Sequence, residues 1–211
     1  MKTGSSLLSG GIAGREAVRR RVQEAGGRLD AHGWLSGDEG HERAHAPDAR
    51  TPAAVLLGLV PRDGGPNVIL TQRTAHLSAH AGQISLPGGR LEAEEGPADA
   101  ALRETFEEIG IAPERIELLG GLRHYDTITG FRIHPVVGWI EPPVAFAPDP
   151  FEVEEVFELP LGFALDPANH RRDSYLRNGE RRHFYVLPYR DRYIWGATAG
   201  ILVNFARLLT G

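Results

Sequence analysis

Residues 97–109, PADAALRETFEEI, constrain the fold most, because a strongly two-sided helical pattern sits there between strand-like runs. Pro97 stands near the first turn and Gly110 just past the last, the usual start and stop of an α-helix. At about 100° per residue, Ala98, Ala101, Leu102, Thr105, Phe106 and Ile109 fall on one face, which is expected to be buried. Arg103, Glu104, Glu107 and Glu108 fall on the other and are expected to face outward. Upstream, AAVLLGLV (53–60) and VILTQR (68–73) flank the turn PRDGGPN and predict an antiparallel hairpin. A long loop, Thr74 to Glu95, then leads to the helix. Downstream, Ile116–Arg123, Ile133–Ile140, VFELPL (156–161) and HFYVLPY (183–189) read as strands. Trp195–Leu209 reads as an apolar, packed helix. Strands on both sides of a central helix predict a layered α/β domain with a mixed sheet.

The first 50 residues have a different texture. Arg15–Ala25 predicts a short helix closed by Gly26 and Gly27, and Ser36–Thr51 is polar and loop-like. Its bases, Arg15, Arg19, Arg20 and Arg21, are expected on a solvated face, with contact to a phosphate as the alternative. Residues 1–50 are therefore taken as an extension and 51–211 as the main domain.

The charged face of the central helix is chemically unusual. Glu104 and Glu108 are one turn apart, where like charges repel. Glu107 and Glu108 also lie in the last turn, where the helix dipole disfavours anions. A cation held between these carboxylates would remove both penalties. Hard carboxylate oxygens suit Mg²⁺ or Mn²⁺, which keep positions for water and substrate phosphates.

Composition narrows the partners. The chain carries 23 basic and 28 acidic residues, a net charge of -5, so no global basic field invites nucleic acid or anionic membrane. A polyanionic substrate would need divalent cations or a local basic cluster. Absence of cysteine excludes disulfides, thiolate metal sites and cysteine nucleophiles. The opening MKTGSSLLSGGIAGREAV makes a poor secretory segment, and no apolar run approaches the roughly 20 residues that span a bilayer. A cytoplasmic protein is expected.

The spacing of the acidic groups is specific. Gly89, five residues, Glu95, seven residues and then Arg103-Glu104-Thr105-Phe106-Glu107-Glu108-Ile109-Gly110-Ile111 resembles the Nudix box. Thr105 stands where that pattern usually has a bulky aliphatic residue. The resemblance implies a Nudix-type α/β/α sandwich with a mixed central sheet, and a metal-dependent hydrolase of a diphosphate linkage. It implies Glu104 and Glu108 as principal metal ligands, with Glu107 a further ligand or a water-mediated contact. Gly89 would offer its carbonyl to a metal, Arg103 would orient the carboxylates, and Glu95 would support or join the metal site.

A longer segment resembles the coenzyme A pyrophosphatase branch of that family. It comprises Leu70-Thr71-x-Arg73, Leu77-x-x-His80-x-Gly82 and Pro87-Gly88-Gly89, with Leu86 where Phe is usual and Ser78 where a base is common. Pro148-Asp149-Pro150-x-Glu152-Val153 and Ile194-Trp195-Gly196-Ala197-Thr198-Ala199 also resemble it. The implied reaction cleaves CoA or a CoA derivative to 3′,5′-ADP and 4′-phosphopantetheine, or its acyl form. Arg73, His80 and Gly88 would bind substrate, with His80 on a phosphate or a water and Arg73 on the 3′-phosphate or, as the alternative, on the diphosphate. Glu152 would be a base or an extra metal ligand. Trp195 is expected as a core or interface anchor rather than a base-stacking surface. Other diphosphates, such as ADP-ribose, a dinucleotide or a nucleoside triphosphate, remain alternatives, as does a non-catalytic nucleotide-binding module. The partner expected is a small CoA-like molecule, and a homodimer is admissible.

Overall fold

β-Branched and aliphatic runs do most of the building, and the central sheet forms where they are densest. The structure, a computed structural model, describes residues 14–26, 50–75, 82–177 and 179–211. The helices are α1 (Arg15–Gly26), α2 (Pro97–Ile109), α3 (Leu161–Leu165) and α4 (Gly196–Thr210). The strands of the central sheet are β1 (Thr51–Val60), β2 (Asn67–Arg73), β3 (Ile84–Ser85), β4 (Gly88–Arg90), β5 (Ile116–Gly121), β6 (Tyr125–Asp126), β7 (Phe131–Ile140) and β8 (Val153–Pro160). A smaller antiparallel sheet holds β9 (Arg171–Arg177), β10 (Glu180–Tyr189) and β11 (Arg192–Trp195).

The central sheet is mixed. Its spine runs β3-β2-β1-β7-β5, with β8 on β2, β4 on β1 and β6 on β7. β1 and β7 are parallel, from Thr51 opposite Phe131 to Leu59 opposite Trp139, whereas β1 and β2 form the antiparallel hairpin expected. Alternation along β1 divides the core in two. Leu56 joins Ile69, Val136, Ala100, Ala101 and Ile109 under α2, and Leu57 and Leu59 join Val68, Val137 and the α4 residues Leu202 and Phe205 on the opposite face. Helices on both faces make the α/β/α sandwich.

Three expectations change. The stretch from Thr74 to Glu95 is not wholly loop, because β3 and β4 lie within it, β4 pairing antiparallel with β1. Strands of two or three residues containing Ser85 or Gly88-Gly89 carry no alternation to read, and their pairing is supplied by the neighbouring strand. The VFELPL run belongs to a longer strand that stops at Pro160, and Leu161 begins α3. β9 and β11 are strands that the sequence pattern does not predict, and Trp195, expected to open the last helix, ends β11 instead, with α4 beginning at Gly196.

The amino-terminal helix is also more than an appendage. Val18 and Val22 are fully buried in the α4-side core. Arg15 and Arg19 ion-pair with Glu117 on β5, and Arg15 Nη1 lies 3.2 Å from Glu141 Oε1. These two bases are thus used for docking. Gly27 and most of the 36–51 segment lie outside the described residues.

Candidate active site

α2 is positioned by small residues. Ala100 and Ala101 are fully buried against the sheet, and Gly110 at φ 73° ends the helix by donating its N–H to Phe106 O. The buried arc differs from the expected one. Phe106 is 53% exposed and Glu108 only 4% exposed. Seven residues of rotation place Glu108 within about 20° of Ala101, so a face centred on Ala101, Thr105 and Glu108 takes in a carboxylate and leaves Phe106 outside. Thr105 is buried, as expected, and its hydroxyl donates to Ala101 O at 2.6 Å.

Two glycines make room for the carboxylates. Register places Gly89 opposite Ala54 and Gly88 opposite Val55. A Cβ on Gly89 would stand 2.3 Å from Glu104 Oε1, so the Glu104 carboxylate rests directly on that backbone. Gly88, at φ 152°, admits no side chain either, since its Cβ would meet Ala54 O at 2.2 Å. Gly88 N–H donates to Glu108 Oε2 at 3.3 Å, and Arg73 Nη1, at the end of β2, lies 3.7 Å from Glu108 Oε1.

Arg103 organises the rest. Its Nε and Nη2 each donate at 2.9 Å to the two oxygens of Glu95, a bidentate pair, and Nη2 also donates to Arg90 O. Nη1 reaches Glu104 Oε1 at 2.9 Å and Glu107 Oε2 at 3.2 Å. One guanidinium therefore ties the loop to two carboxylates of the helix. Hydrogen bonds from Arg103 and from the Glu92 backbone hold the Glu95 carboxyl down to about 2.

Glu104 and Glu108 shift the other way. Burial raises Glu104, opposed by Arg103. Burial pushes Glu108 up to about 8, assisted by Glu104 and Glu152 and opposed by Gly88 N–H and Arg73. A nearly inaccessible carboxylate with one long hydrogen bond and one distant cation is under-compensated. That donor set fits a hard divalent cation. Among the described residues no three His, Asp or Glu side chains converge into a ready-made cage. The fit is accordingly to an ion held by one or two carboxylates and completed by water and substrate oxygens, the mode Mg²⁺ favours.

Glu152 lies in the bend before β8 and is exposed, yet its backbone is pinned, with Thr74 N–H donating to Glu152 O and Glu152 N–H to Asp149 O. Asp149 N–H in turn donates to the Glu108 carbonyl, so the Pro-rich segment is stitched to the last turn of α2. His80, Leu77 and Ser78 lie outside the described residues.

The structure adds a feature that the sequence did not suggest. Arg73 and Gly88 also line a cavity of about 270 Å³, together with Tyr175, Phe184 and Trp195. Trp195 is not a core residue; it is 40% exposed, with its ring edge-on to Phe184 at 5.6 Å. Tyr175 lies 5.8 Å from Phe184 in turn. Three consecutive strands supply these rings, and only their pairing register brings the rings onto one face, so no period within a single strand signals the wall.

Residues 49–178 match the model of the NUDIX domain. The chain belongs to the Nudix family. It is 40% identical over 158 residues to a Nudix hydrolase NudL of Citrobacter koseri, covering 74% of this chain and 82% of that one. A NudL of Escherichia coli is 39% identical over 155 residues, covering 73% of this chain and 80% of that protein. Among solved structures, the Nudix hydrolase RenU of M. smegmatis is similar at 26% identity and a TM-score of 0.47, over 62% of this chain and 81% of that chain. Nudix hydrolases act on phosphorus-containing anhydrides and generally use divalent metal ions, and this chain is a Nudix hydrolase. Among its described residues no helix is long and apolar enough to cross a membrane.

Proposed function

We propose that this Nudix hydrolase cleaves the diphosphate of coenzyme A or an acyl-CoA, giving 3′,5′-ADP and 4′-phosphopantetheine or its acyl form. The observation that carries this reading is the meeting of two segments at one carboxylate. Arg73, from the segment resembling the CoA branch, and Gly88, from the Pro-Gly-Gly turn, both contact Glu108.

Glu104 and Glu108 would hold Mg²⁺ or Mn²⁺, with Glu107, Glu95 and the Gly89 carbonyl as further candidates. The ion would neutralise phosphoryl oxygens and ease deprotonation of water. Around it the chain's own groups do the positioning. Arg103 holds Glu104 and Glu107 in place, Arg73 grips a diphosphate oxygen, and Glu152 serves as the base for the attacking water or as an extra metal ligand. Water adds to one phosphorus, the bridging oxygen leaves with the other, and two phosphomonoesters result. With its guanidinium beside Glu108, Arg73 is assigned to the diphosphate rather than to the 3′-phosphate. Retention of Glu104, Glu107 and Glu108 together supports hydrolysis over mere nucleotide binding.

The test is a panel of CoA, acetyl-CoA, ADP-ribose, NADH and nucleoside triphosphates with Mg²⁺ and with Mn²⁺, products identified by mass. CoA is expected to show the highest kcat/KM and to yield 3′,5′-ADP. Preferential cleavage of ADP-ribose or NADH would overturn the CoA assignment.

A further inference from the structure

The cavity beside the carboxylates has a chemical character of its own. It shares Arg73 and Gly88 with the hydrolytic site, so a substrate whose diphosphate lies there extends one substituent into it. Part of its lining is aromatic, and the Trp195 indole, at 40% exposure, presents apolar ring surface to water. Covering such a face with another flat ring recovers both buried area and stacking energy.

The polar atoms of the cavity decide which substituent fits. Thr127 and Thr129 line it beside Gln83. The hydroxyl of Tyr175, another lining residue, is buried with no hydrogen-bond partner among the described residues. An acyl chain offers only methylenes to these groups, and the pantetheine arm offers amides and a hydroxyl but no flat ring, whereas a purine brings both edge donors and acceptors and a face to stack. Charge agrees. Strand pairing sets Arg182 opposite Tyr175 and Arg171 opposite Val186, which also pairs with Trp195, so these bases share the aromatic face in a chain of net charge -5. Asp173, opposite Phe184 on that face, accepts a hydrogen bond from Tyr193.

We propose that the nucleobase of the substrate stacks against Trp195 and Phe184 in this cavity, so that the nucleotide half of the diphosphate lies toward the β9–β11 sheet. The inference rests on the diphosphate-hydrolase reading of the neighbouring carboxylates, but its test does not require turnover. Trp195 is one of three tryptophans, and subtracting the emission of Trp195→Phe isolates its signal. The full chain, with divalent cations chelated, is titrated separately with adenosine 3′,5′-bisphosphate and with 4′-phosphopantetheine.

The nucleotide is expected to quench Trp195 and the pantetheine product to leave it unchanged. By calorimetry, Trp195→Ala should weaken nucleotide binding about tenfold or more, and Trp195→Phe should keep it within about threefold. Phe184→Leu, which keeps an apolar side chain, should weaken it too. In turnover, Trp195→Ala should raise KM far more than it lowers kcat. Quenching by 4′-phosphopantetheine instead, or equal nucleotide affinity in wild type and Trp195→Ala, would overturn the subsite. Nucleotide quenching in an enzyme that does not cleave CoA would support the subsite and remove the CoA assignment alone. CoA cleavage with nucleotide affinity untouched by Trp195→Ala would do the reverse.

Discussion

The carboxylate cluster touches Arg73 and Gly88, which line one cavity together with the aromatic wall, yet cluster and wall are assembled in opposite ways. Glu95, Arg103, Glu104, Glu107 and Glu108 come from one loop and one helix, so i, i+4 geometry brings most of them together before any tertiary contact forms. Tyr175, Phe184 and Trp195 come from three strands and meet only when β9, β10 and β11 pair. The local cluster carries its chemistry in its spacing; the composite wall acquires it from register. Damage to the first should therefore strike the chemical step, and damage to the second should strike affinity.

The largest effect is expected at the helix. Glu108→Gln and Glu104→Gln should each lower kcat about 100-fold or more while the fold survives, because an amide cannot replace a charged ligand. Removing a buried, under-compensated charge at 4% exposure should also raise the thermal stability of the chelated protein for Glu108→Gln. Near-normal turnover of either variant at saturating Mg²⁺ would break the comparison at its stronger end.

Arg103→Lys comes next. An ammonium cannot reproduce the bidentate grip on Glu95 together with the contacts to Glu104 and Glu107. Activity should fall about 10–100-fold, with circular dichroism unchanged. A wild-type rate would mean that the carboxylates hold their places without it.

Arg73 tests the seam between the two regions. Arg73→Ala should lower kcat/KM for CoA and for dephospho-CoA alike, by about 10-fold, the loss expected of one charge-assisted contact to the shared diphosphate. The two substrates and two proteins form a double-mutant cycle, and its coupling energy should be near zero. A loss confined to CoA would move Arg73 to the 3′-phosphate.

The smallest effect belongs to Thr105. Its hydroxyl is satisfied within the helix by Ala101 O, so Thr105→Val should leave activity unchanged and alter stability by no more than about 1–1.5 kcal/mol on chemical denaturation. A large fall in turnover without unfolding would bring the hydroxyl into the site.

Sequence by itself determined the helix from Pro97 to Ile109, the hairpin of β1 and β2, and the identity and spacing of the acidic groups. These depend on local periodicity, turn residues and one-turn neighbours, which any helix or hairpin of that sequence shares. It did not determine which side of α2 would be buried. An apolar count favoured Phe106, but α2 packs through small Ala100 and Ala101 with Glu108 turned in beside Gly88 of β4 and Phe106 left outside. Nor did it reveal β4, whose three residues are a strand only because β1 supplies their partners. The exposed indole of Trp195 was likewise decided by tertiary structure. Its surroundings depend on the register of three consecutive strands over residues 171–195 and on the approach of Arg73 and Gly88 from the central sheet, and pairing of that kind leaves no period in the chain to read.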